Sequence, residues 1–265
     1  KGGKRVTGVA VCVQAGQGAV LEEIACDAVA MSGGWSPVVH LWSHCGGKLT
    51  WNTDHAHFRP DATRPPTNQD GAAMVTAVGN ANGAMTAAEA MADVAAQMAA
   101  LLKEMGLKSK TPAVTAEAVD EAAMEAVWIM PQGATSAMKA KMWLDYQNDV
   151  KVSDVQLAAR EGYESVEHTK RYTTLGMATD QGKLSNINGL AVLAGSLNAD
   201  IPQVGTTTFR PPYTPVTLGA LAGESRGEIF QPIRRTPMQS WHEAQKAYLE
   251  PVGHWRGPYC FPRGA

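Results

Sequence analysis

The sequence contains neither a long hydrophobic run nor an excess of charge of one sign. No apolar run reaches the ~18–20 residues that a membrane-spanning helix needs, because Glu89, Asp93 and Gln97 interrupt the alanine-rich stretch 84–102. Lysine and arginine total 23 against 25 for aspartate and glutamate, a net charge of −2. That balance disfavours a protein that tracks nucleic-acid phosphates. We therefore expect a globular protein with no membrane and no nucleic-acid partner.

Cysteine is scarce and scattered along the chain. The four cysteines, at positions 12, 26, 45 and 260, lack CxxC spacing, so neither an iron–sulfur site nor a disulfide scaffold is predicted. Reduced thiols of this kind are typical of a cytoplasmic protein. A GxSxG motif is also absent, so a hydrolase serine is not indicated.

The two ends of the sequence carry no terminal signals. The first residues, KGGKR, contain neither an initiator methionine nor the apolar core of a signal peptide, and the last, PRGA, form no closing element. We interpret the chain as a piece of a longer polypeptide.

The amino-terminal stretch has the pattern of β-strands. Alternating valines from residue 6 to 13, a turn at residues 15–18 and a second apolar segment at 20–24 predict a hairpin. The continuous apolar run 26–31 predicts a parallel strand buried on both faces. Gly33 and Gly34 follow it, and glycines at the carboxyl end of such a strand let a ligand approach the backbone.

A second strand and a glycine turn precede a helix. Residues 73–78 predict a short strand, and the turn GNANG at 79–83 follows it. The sequence from Thr86 to Glu89 is a capping box, so a helix is predicted from there to Gly106. In this order of strand, turn and helix, the backbone amides at the start of the helix point toward the turn, where a phosphate could bind. The spacing is not GxGxxG, and the alternative is that the glycines only permit tight packing.

The second half of the sequence predicts helices and then an extended segment. Residues 108–141 are linker-like. Ser153 begins a capping box for a helix that ends at Gly162, Ser165 caps a helix that extends through Tyr172, and a third helix covers 185–197. After residue 202 the prolines become frequent, which favours an extended connector.

A group of histidines lies between residues 35 and 70. It comprises His40, His44, His55 and His57, with Cys45 beside them. A glycine pair follows Cys45 directly, and no pair of ligands has zinc-finger spacing. We therefore expect half-buried loop histidines rather than a metal site.

The densest polar patch lies at residues 167–183, and a second one follows at 206–210. Cations, hydroxyls and glycines around a loop suit a ligand that is anionic and rich in acceptors, such as a flavin phosphate. The alternative is a solvated helix face, and composition alone does not decide between the two.

These polar segments closely resemble the α subunit of heterotetrameric sarcosine oxidase. The resemblance is carried by residues 32–41 (SGGWSPVVHL), 145–150 (DYQNDV), 158–163 (AAREGY), 166–183 (VEHTKRYTTLGMATDQGK), 205–215 (GTTTFRPPYTP), 234–238 (RRTPM) and 240–242 (SWH). It extends over nearly the whole chain.

The resemblance implies an α/β plus α fold with four parts. Residues 1–107 correspond to the second half of a Rossmann-like, NAD-binding domain of the pyridine nucleotide–disulfide reductase type, and 108–141 to a linker. Residues 142–200 correspond to a small helical domain that resembles a [2Fe–2S] module without its cysteines. Residues 201–265 correspond to a connector and the start of a T-protein-like folate-binding domain.

The resemblance also implies cofactor sites. For NAD, the implied contacts are Gly33, Gly34, Asn80, Ala81, Gly83 and Met85. In the turn, Asn80 stands where related folds carry an acidic residue that contacts a ribose hydroxyl. For FMN at an interface with the β subunit, the implied contacts are Lys170, Arg171, Thr173, Thr174, Gln181, Lys183, Thr206 and Arg210.

In such an enzyme the β subunit holds FAD and oxidises sarcosine to glycine. Electrons pass through FMN to O2, which gives H2O2, and tetrahydrofolate receives the one-carbon unit as 5,10-methylene-tetrahydrofolate, or formaldehyde is released. The implied partners are the β, γ and δ subunits.

Two other interpretations stay open. The chain could belong to the α subunit of a related amino-acid or opine dehydrogenase, although those usually keep the cysteine cluster that is missing here. It could also be a non-catalytic scaffold fragment within a complex.

Overall fold

The computed structural model describes residues 1–14, 17–108, 114–119, 123–131, 133–210 and 213–263. The chain divides into two compact units, Lys1–Tyr213 and Thr214–Ala265.

The first unit begins with the predicted hairpin. Strand β1 (Val9–Cys12) pairs antiparallel with β2 (Val20–Ile24), with Val9 opposite Ile24 and a register irregularity after Val11. The prediction of a hairpin is confirmed. Two residues of the predicted turn, at positions 15 and 16, lie outside the described residues.

The two other strands predicted in this region are wrong. Residues 26–31 have no strand conformation, and Val29 and Met31 are exposed. Residues 73–78 contribute only one isolated bridge, between Ala73 and Thr67. A parallel strand exists only where a neighbouring strand accepts its hydrogen bonds, and no described residue pairs with 26–31. Apolar composition therefore did not suffice to form these strands.

A helix and a second hairpin occupy part of the stretch 35–70, where the sequence predicts loop histidines. Helix α1 (His40–His44) is followed by β3 (Leu49–Asn52) and β4 (His57–Pro60), which pair antiparallel with Trp51 opposite Phe58. The rings of these two residues lie edge to face, with centroids 4.8 Å apart. The cross-strand aromatic pair stabilises this hairpin, although its polar sequence gives no strand pattern.

Helix α2 (Ala87–Glu104) has the capping box that its sequence predicts. Glu89 N donates to Thr86 Oγ1 over 3.2 Å, and Thr86 N donates to Glu89 Oε2 over 3.1 Å. The helix ends two residues before Gly106, so its predicted bounds are close to those observed. None of its residues is buried, and no helix of the described residues is long and apolar enough to cross a membrane.

The densest core of the first unit is built by its later helices. After α3 (Ser136–Lys139) and the short strands β5 (Trp143–Asp145) and β6 (Val150–Lys151) come α4 (Val152–Arg160), α5 (Val166–Thr173) and α6 (Asn186–Leu197). Helix α6 is apolar on nearly every side, which is typical of a central helix. It contributes Leu190 and Leu193, two of the largest fully buried side chains, to the same core cluster as Leu175.

The three predicted helices of this region are confirmed, with bounds within two residues of those predicted. Helix α4 begins at Val152 rather than after Ser153, because the Asp154 carboxylate accepts from Lys151 N over 2.8 Å. The helix thus begins two residues earlier than it would with Ser153 as its N-cap.

The second unit is folded rather than extended throughout. It contains α7 (Leu218–Ala222), β7 (Arg234–Arg235), α8 (Gln239–Ala244), β8 (Tyr248–Val252) and β9 (Trp255–Cys260). Strand β9 is central, parallel to β7 and antiparallel to β8. Pro251 and Pro258 lie within these strands, so the proline frequency after residue 202 did not exclude a sheet. The domain boundaries at 107, 141 and 200 stay a prediction.

Replacing Asp145 should destabilise the first unit. Its buried carboxylate accepts from Gln147 N over 2.9 Å, from Asn148 N over 3.1 Å and from Gly176 N over 2.9 Å. Asp145→Ala leaves these amides without an acceptor, and we expect a loss of about 2–3 kcal/mol of unfolding free energy, measured by urea denaturation. Asp27→Ala, at an exposed position, is the control. Equal stability of the two variants would refute this role.

His57 should make the first unit sensitive to acid. The side chain is 1% exposed, and burial, followed by repulsion from His55, lowers its pKa below the ordinary 6.5. The unfolded chain therefore binds more protons as pH falls from about 7 through 6.5, and stability decreases by at most about 1.4 kcal/mol per pH unit. In denaturation at pH 7 and pH 5, His57→Phe should reduce this loss, whereas His168→Gln, at an exposed position, should not. An undiminished loss in His57→Phe would contradict the assignment.

Candidate functional site

One small cavity of the first unit is lined by three segments, two of which supply cations. Its volume is about 70 Å³. Helix α5, the loop that follows it and the segment before residue 211 supply the lining. The lining residues are Glu167, Lys170, Arg171, Met177, Gln181 and Arg210. We call this space the basic cavity.

Lys170 is the most buried member of the basic cavity. It lies on the face of α5 that also carries the buried residues Val166 and Thr169, and it is 6% exposed. Its Nζ donates to Thr208 O over 3.3 Å. Burial lowers the pKa of its ammonium, Glu167 raises it, and Arg210 and Arg171 lower it further. A buried ammonium among like charges gains most from an anionic ligand.

Glu167 organises the charges around the cavity. Its Oε2 pairs with Arg171 Nη1 over 2.9 Å, and its Oε1 accepts from Thr208 N over 2.5 Å. The same carboxylate therefore orients one guanidinium and ties α5 to the segment that carries Arg210. Three cations face one carboxylate, so the charge of the lining is positive and suits a phosphate.

Asn186 holds the loop of the basic cavity in place. Its Nδ2 donates to Thr207 Oγ1 over 2.9 Å and to Gln181 O over 3.2 Å. A Cβ on Gly176 or Gly182 would lie 2.2 or 2.0 Å from Asn186 Oδ1, so only glycine fits beside this amide. Both glycines have positive φ, the left-handed region that glycine favours.

The loop also connects directly to Arg210. Gln181 has a φ of 52°, and its Oε1 accepts from Arg210 N over 3.3 Å. Sequence reasoning misses Glu167, Met177 and Asn186 as site residues. The signal that could find Asn186 is the pair of glycines on either side of a polar loop.

The structure brings together four of the eight predicted flavin contacts. Lys170, Arg171, Gln181 and Arg210 share the basic cavity. Thr173 and Thr174 instead donate their hydroxyls to backbone carbonyls at the end of α5, over 2.8 and 2.6 Å.

The two remaining predicted flavin contacts lie elsewhere in the first unit. The ammonium of Lys183 lies 4.5 Å from the ring centre of Tyr213, in a cation–π contact. Thr206 lines other cavities.

The predicted NAD contacts do not line one common cavity. Gly33 and Gly34 line a cavity of about 770 Å³ together with Trp35 and Met124. Asn80 lines a different one, of about 610 Å³, beside the apolar face of α2. Ala81, Gly83 and Met85 belong to the same turn as Asn80 but do not line either cavity.

The polar groups of that turn are largely engaged within the chain. Asn80 Nδ2 donates to Ala84 O over 2.8 Å, and Gly79 N donates to Asp93 Oδ2 over 2.7 Å. Met85 N donates to Glu89 Oε2 over 3.2 Å. The carboxylates of Asp93 and Glu89 thus lie near the amino-terminal end of α2, where a pyrophosphate would bind. The turn therefore suits a neutral hydroxyl better than a phosphate.

The histidines stack rather than converge on a point. His40 lies against Tyr213 with ring centres 4.0 Å apart, and His55 lies 5.6 Å from His57. His44 Nε2 makes a short contact with Phe209 O. Among the described residues, no group of three or more His, Cys, Asp or Glu side chains could hold a metal ion.

Comparison with known proteins agrees with the predicted kinship. Residues 139–224 match the family model of the sarcosine oxidase A3 domain. The chain is 40% identical over 266 aligned residues to sarcosine oxidase subunit alpha of Rhizobium meliloti (strain 1021), which covers 99% of this chain and 25% of that protein. It is also 40% identical over 240 residues to sarcosine oxidase subunit alpha of Corynebacterium sp. (strain P-1), covering 89% of this chain and 24% of that protein. The chain thus spans about a quarter of the length of these relatives.

A solved structure supports the fold. The crystal structure of L-proline dehydrogenase from P. horikoshii superposes with a TM-score of 0.55 at 18% identity, over 84% of this chain and 43% of that chain. At this identity the likeness concerns the fold alone. The sequence matches confirm the kinship: the chain is a relative of one segment of the sarcosine oxidase α subunit, and residues 139–224 match its A3 domain.

Proposed function

We propose that the chain forms part of the α subunit of an oxidoreductase that acts on the CH–NH group of sarcosine or a closely related N-methyl amine. In this proposal a partner β subunit carries FAD, and γ and δ subunits complete the assembly. The products are glycine, H2O2 and either 5,10-methylene-tetrahydrofolate or formaldehyde. The identity of 40% to two sarcosine oxidase α subunits supports this assignment.

The observation that carries the mechanistic part is the basic cavity. We propose that it holds the phosphate of FMN at the interface with the β subunit. The cavity volume of about 70 Å³ is of the order of one phosphate group, and three cations line it. FMN, when bound, would supply the capacity to accept electrons and pass them to oxygen.

The chain's own residues would bind and orient the phosphate. Lys170 and Arg210 would offset its charge, and Arg171, oriented by Glu167, would donate hydrogen bonds from the more exposed side. Asn186 and Gln181 would keep the loop in place before the ligand arrives, which reduces the entropic cost of binding.

We also propose that Gly33, Gly34 and the turn around Asn80 contact NAD. Since the turn is faced by carboxylates, its contribution would be a hydrogen bond from a ribose hydroxyl to Asn80 Oδ1. Gly33 and Gly34 would let the nucleotide approach the backbone along the larger cavity. The assignment of residues 1–107 to half of a Rossmann-like domain belongs to the same proposal.

Removing one cation of the basic cavity should lower flavin content. In the α chain assembled with its partner subunits, Arg210→Ala should weaken FMN binding by about 10- to 100-fold, because a charged hydrogen bond contributes about 1.5–3 kcal/mol. FMN released by acid is quantified by its absorbance and separated from FAD by chromatography.

The matched control for this experiment is Arg160→Ala, on the exposed face of α4. Its FMN content should equal that of the unmodified enzyme. If Arg210→Ala also retained full FMN content, the phosphate would have to bind elsewhere. If the assembled complex contained no flavin, this result would instead support the interpretation of the chain as a non-catalytic scaffold fragment.

Removing the Asn80 amide should weaken NAD binding. We expect Asn80→Ala in the assembled enzyme to lower NAD affinity about three- to tenfold, as measured by isothermal titration calorimetry, because one neutral hydrogen bond contributes about 0.5–1.5 kcal/mol. Asn198→Gly, at the left-handed end of α6, is the control. An unchanged NAD affinity in Asn80→Ala would remove the turn from the nucleotide site.

A further inference from the structure

The first unit contains a large cavity whose lining includes only one of the cofactor contacts predicted above, Thr206. It lies between the β3–β4 hairpin and the carboxyl-terminal part of α6, and its volume is about 920 Å³. This is within the ~300–1,000 Å³ typical of small-molecule sites. Trp51, Trp128, Lys48, Arg64, Ala194 and Gly195 are among its lining residues. We call it the tryptophan cavity.

The lining combines large aromatic rings with very small side chains. Trp51 is held by the edge-to-face contact with Phe58, so its orientation is determined by the hairpin. On α6, Ala194 and Gly195 leave the space unfilled, and a Cβ built on Gly195 would meet no atom within 4 Å. A flat aromatic ring can therefore stack on an indole and still have room beside the helix.

Two cations stand together at the open end of the hairpin. Lys48 N donates to Arg64 O over 3.0 Å, and Lys48 O accepts from Trp42 Nε1 over 2.8 Å. These bonds give Lys48 a defined position although its side chain is exposed. Arg64 is already paired, since its Nε lies 2.7 Å from Asp61 Oδ2. The ammonium of Lys48 has no acceptor among the described residues, so its charge is available to a ligand.

The lining also holds one carboxylate, that of Asp200. Asp200 caps the 3₁₀ turn Ile201–Val204, and its backbone N donates to Gln203 Oε1 over 2.7 Å. Its remaining acceptor capacity suits a donor such as an exocyclic amine. Thr206 lines this cavity rather than the basic cavity and adds a hydroxyl.

We propose that the tryptophan cavity binds a planar heteroaromatic ligand that carries one anionic group, either phosphate or carboxylate. The ring stacks on Trp51 and Trp128, and the anion pairs with Lys48. This site is separate from the basic cavity, since the two linings share no residue.

The test uses the assembled enzyme and four probes. AMP carries a ring and a phosphate, adenosine the ring alone, ribose 5-phosphate the anion alone, and indole-3-carboxylate a ring with a carboxylate. Calorimetry should detect AMP or indole-3-carboxylate binding at least tenfold tighter than adenosine or ribose 5-phosphate. Which of the two anions binds identifies the ligand's anionic group, and binding of neither overturns the proposal.

Two variants locate the binding. Gly195→Phe fills the cavity from α6 and should reduce affinity for the successful probe at least tenfold, whereas Gly219→Phe, on α7 and equally open, should not. Lys48→Met should lower affinity for the anionic probe to that of the uncharged ring. If Gly195→Phe is unstable, Trp128→Ala replaces it, with an expected loss of about tenfold. Undiminished binding in these variants overturns the proposal.

Arg210→Ala and Asn80→Ala separate this site from the proposed FMN and NAD sites. Neither should change affinity for the probe. If either abolishes probe binding, the probe occupies the corresponding cofactor site and the tryptophan cavity is not its receptor. FMN content, measured in parallel, reports independently on the basic cavity.

Discussion

The buried amide of Asn186 determines the shape of the region around the basic cavity. It donates to Gln181 O and to Thr207 Oγ1, and so joins the loop after α5 to the segment that carries Arg210. A buried N–H donor is costly unless it is hydrogen-bonded, and Asn186 Nδ2 makes both of these bonds. These bonds therefore fix the loop after α5 relative to the segment that carries Arg210. Gly176 and Gly182 are needed because a side chain at either position would displace the amide.

The charge of the cavity follows from that arrangement. Lys170 is buried because it shares a face of α5 with Val166 and Thr169, and its ammonium reaches Thr208 O. Glu167 reduces the mutual repulsion of the cations while it also binds Thr208 N. The result is a positive lining that exists before any ligand binds, which is the preorganisation that anion recognition requires.

Local interactions explain which elements the sequence predicts correctly. The capping box of Thr86 and Glu89 lies within four residues, and helix α6 has an apolar surface that only burial stabilises. The strand prediction at 26–31 failed because a strand depends on a partner distant in sequence. The β3–β4 hairpin escaped prediction because its stability comes from Trp51 and Phe58 across the strands.

The sequence by itself determined helices α2, α4, α5 and α6, the capping box of α2 and the kinship to the sarcosine oxidase α subunit, since these depend on neighbouring residues or on identities position by position. Only the tertiary structure decided that Lys170, Arg171, Gln181 and Arg210 meet while Thr173 and Thr174 bond to their own backbone. The contacts that decide this join Glu167 to Thr208, 41 positions apart, and Gln181 to Arg210, 29 positions apart. No local pattern encodes such distances, because they result from packing around α6.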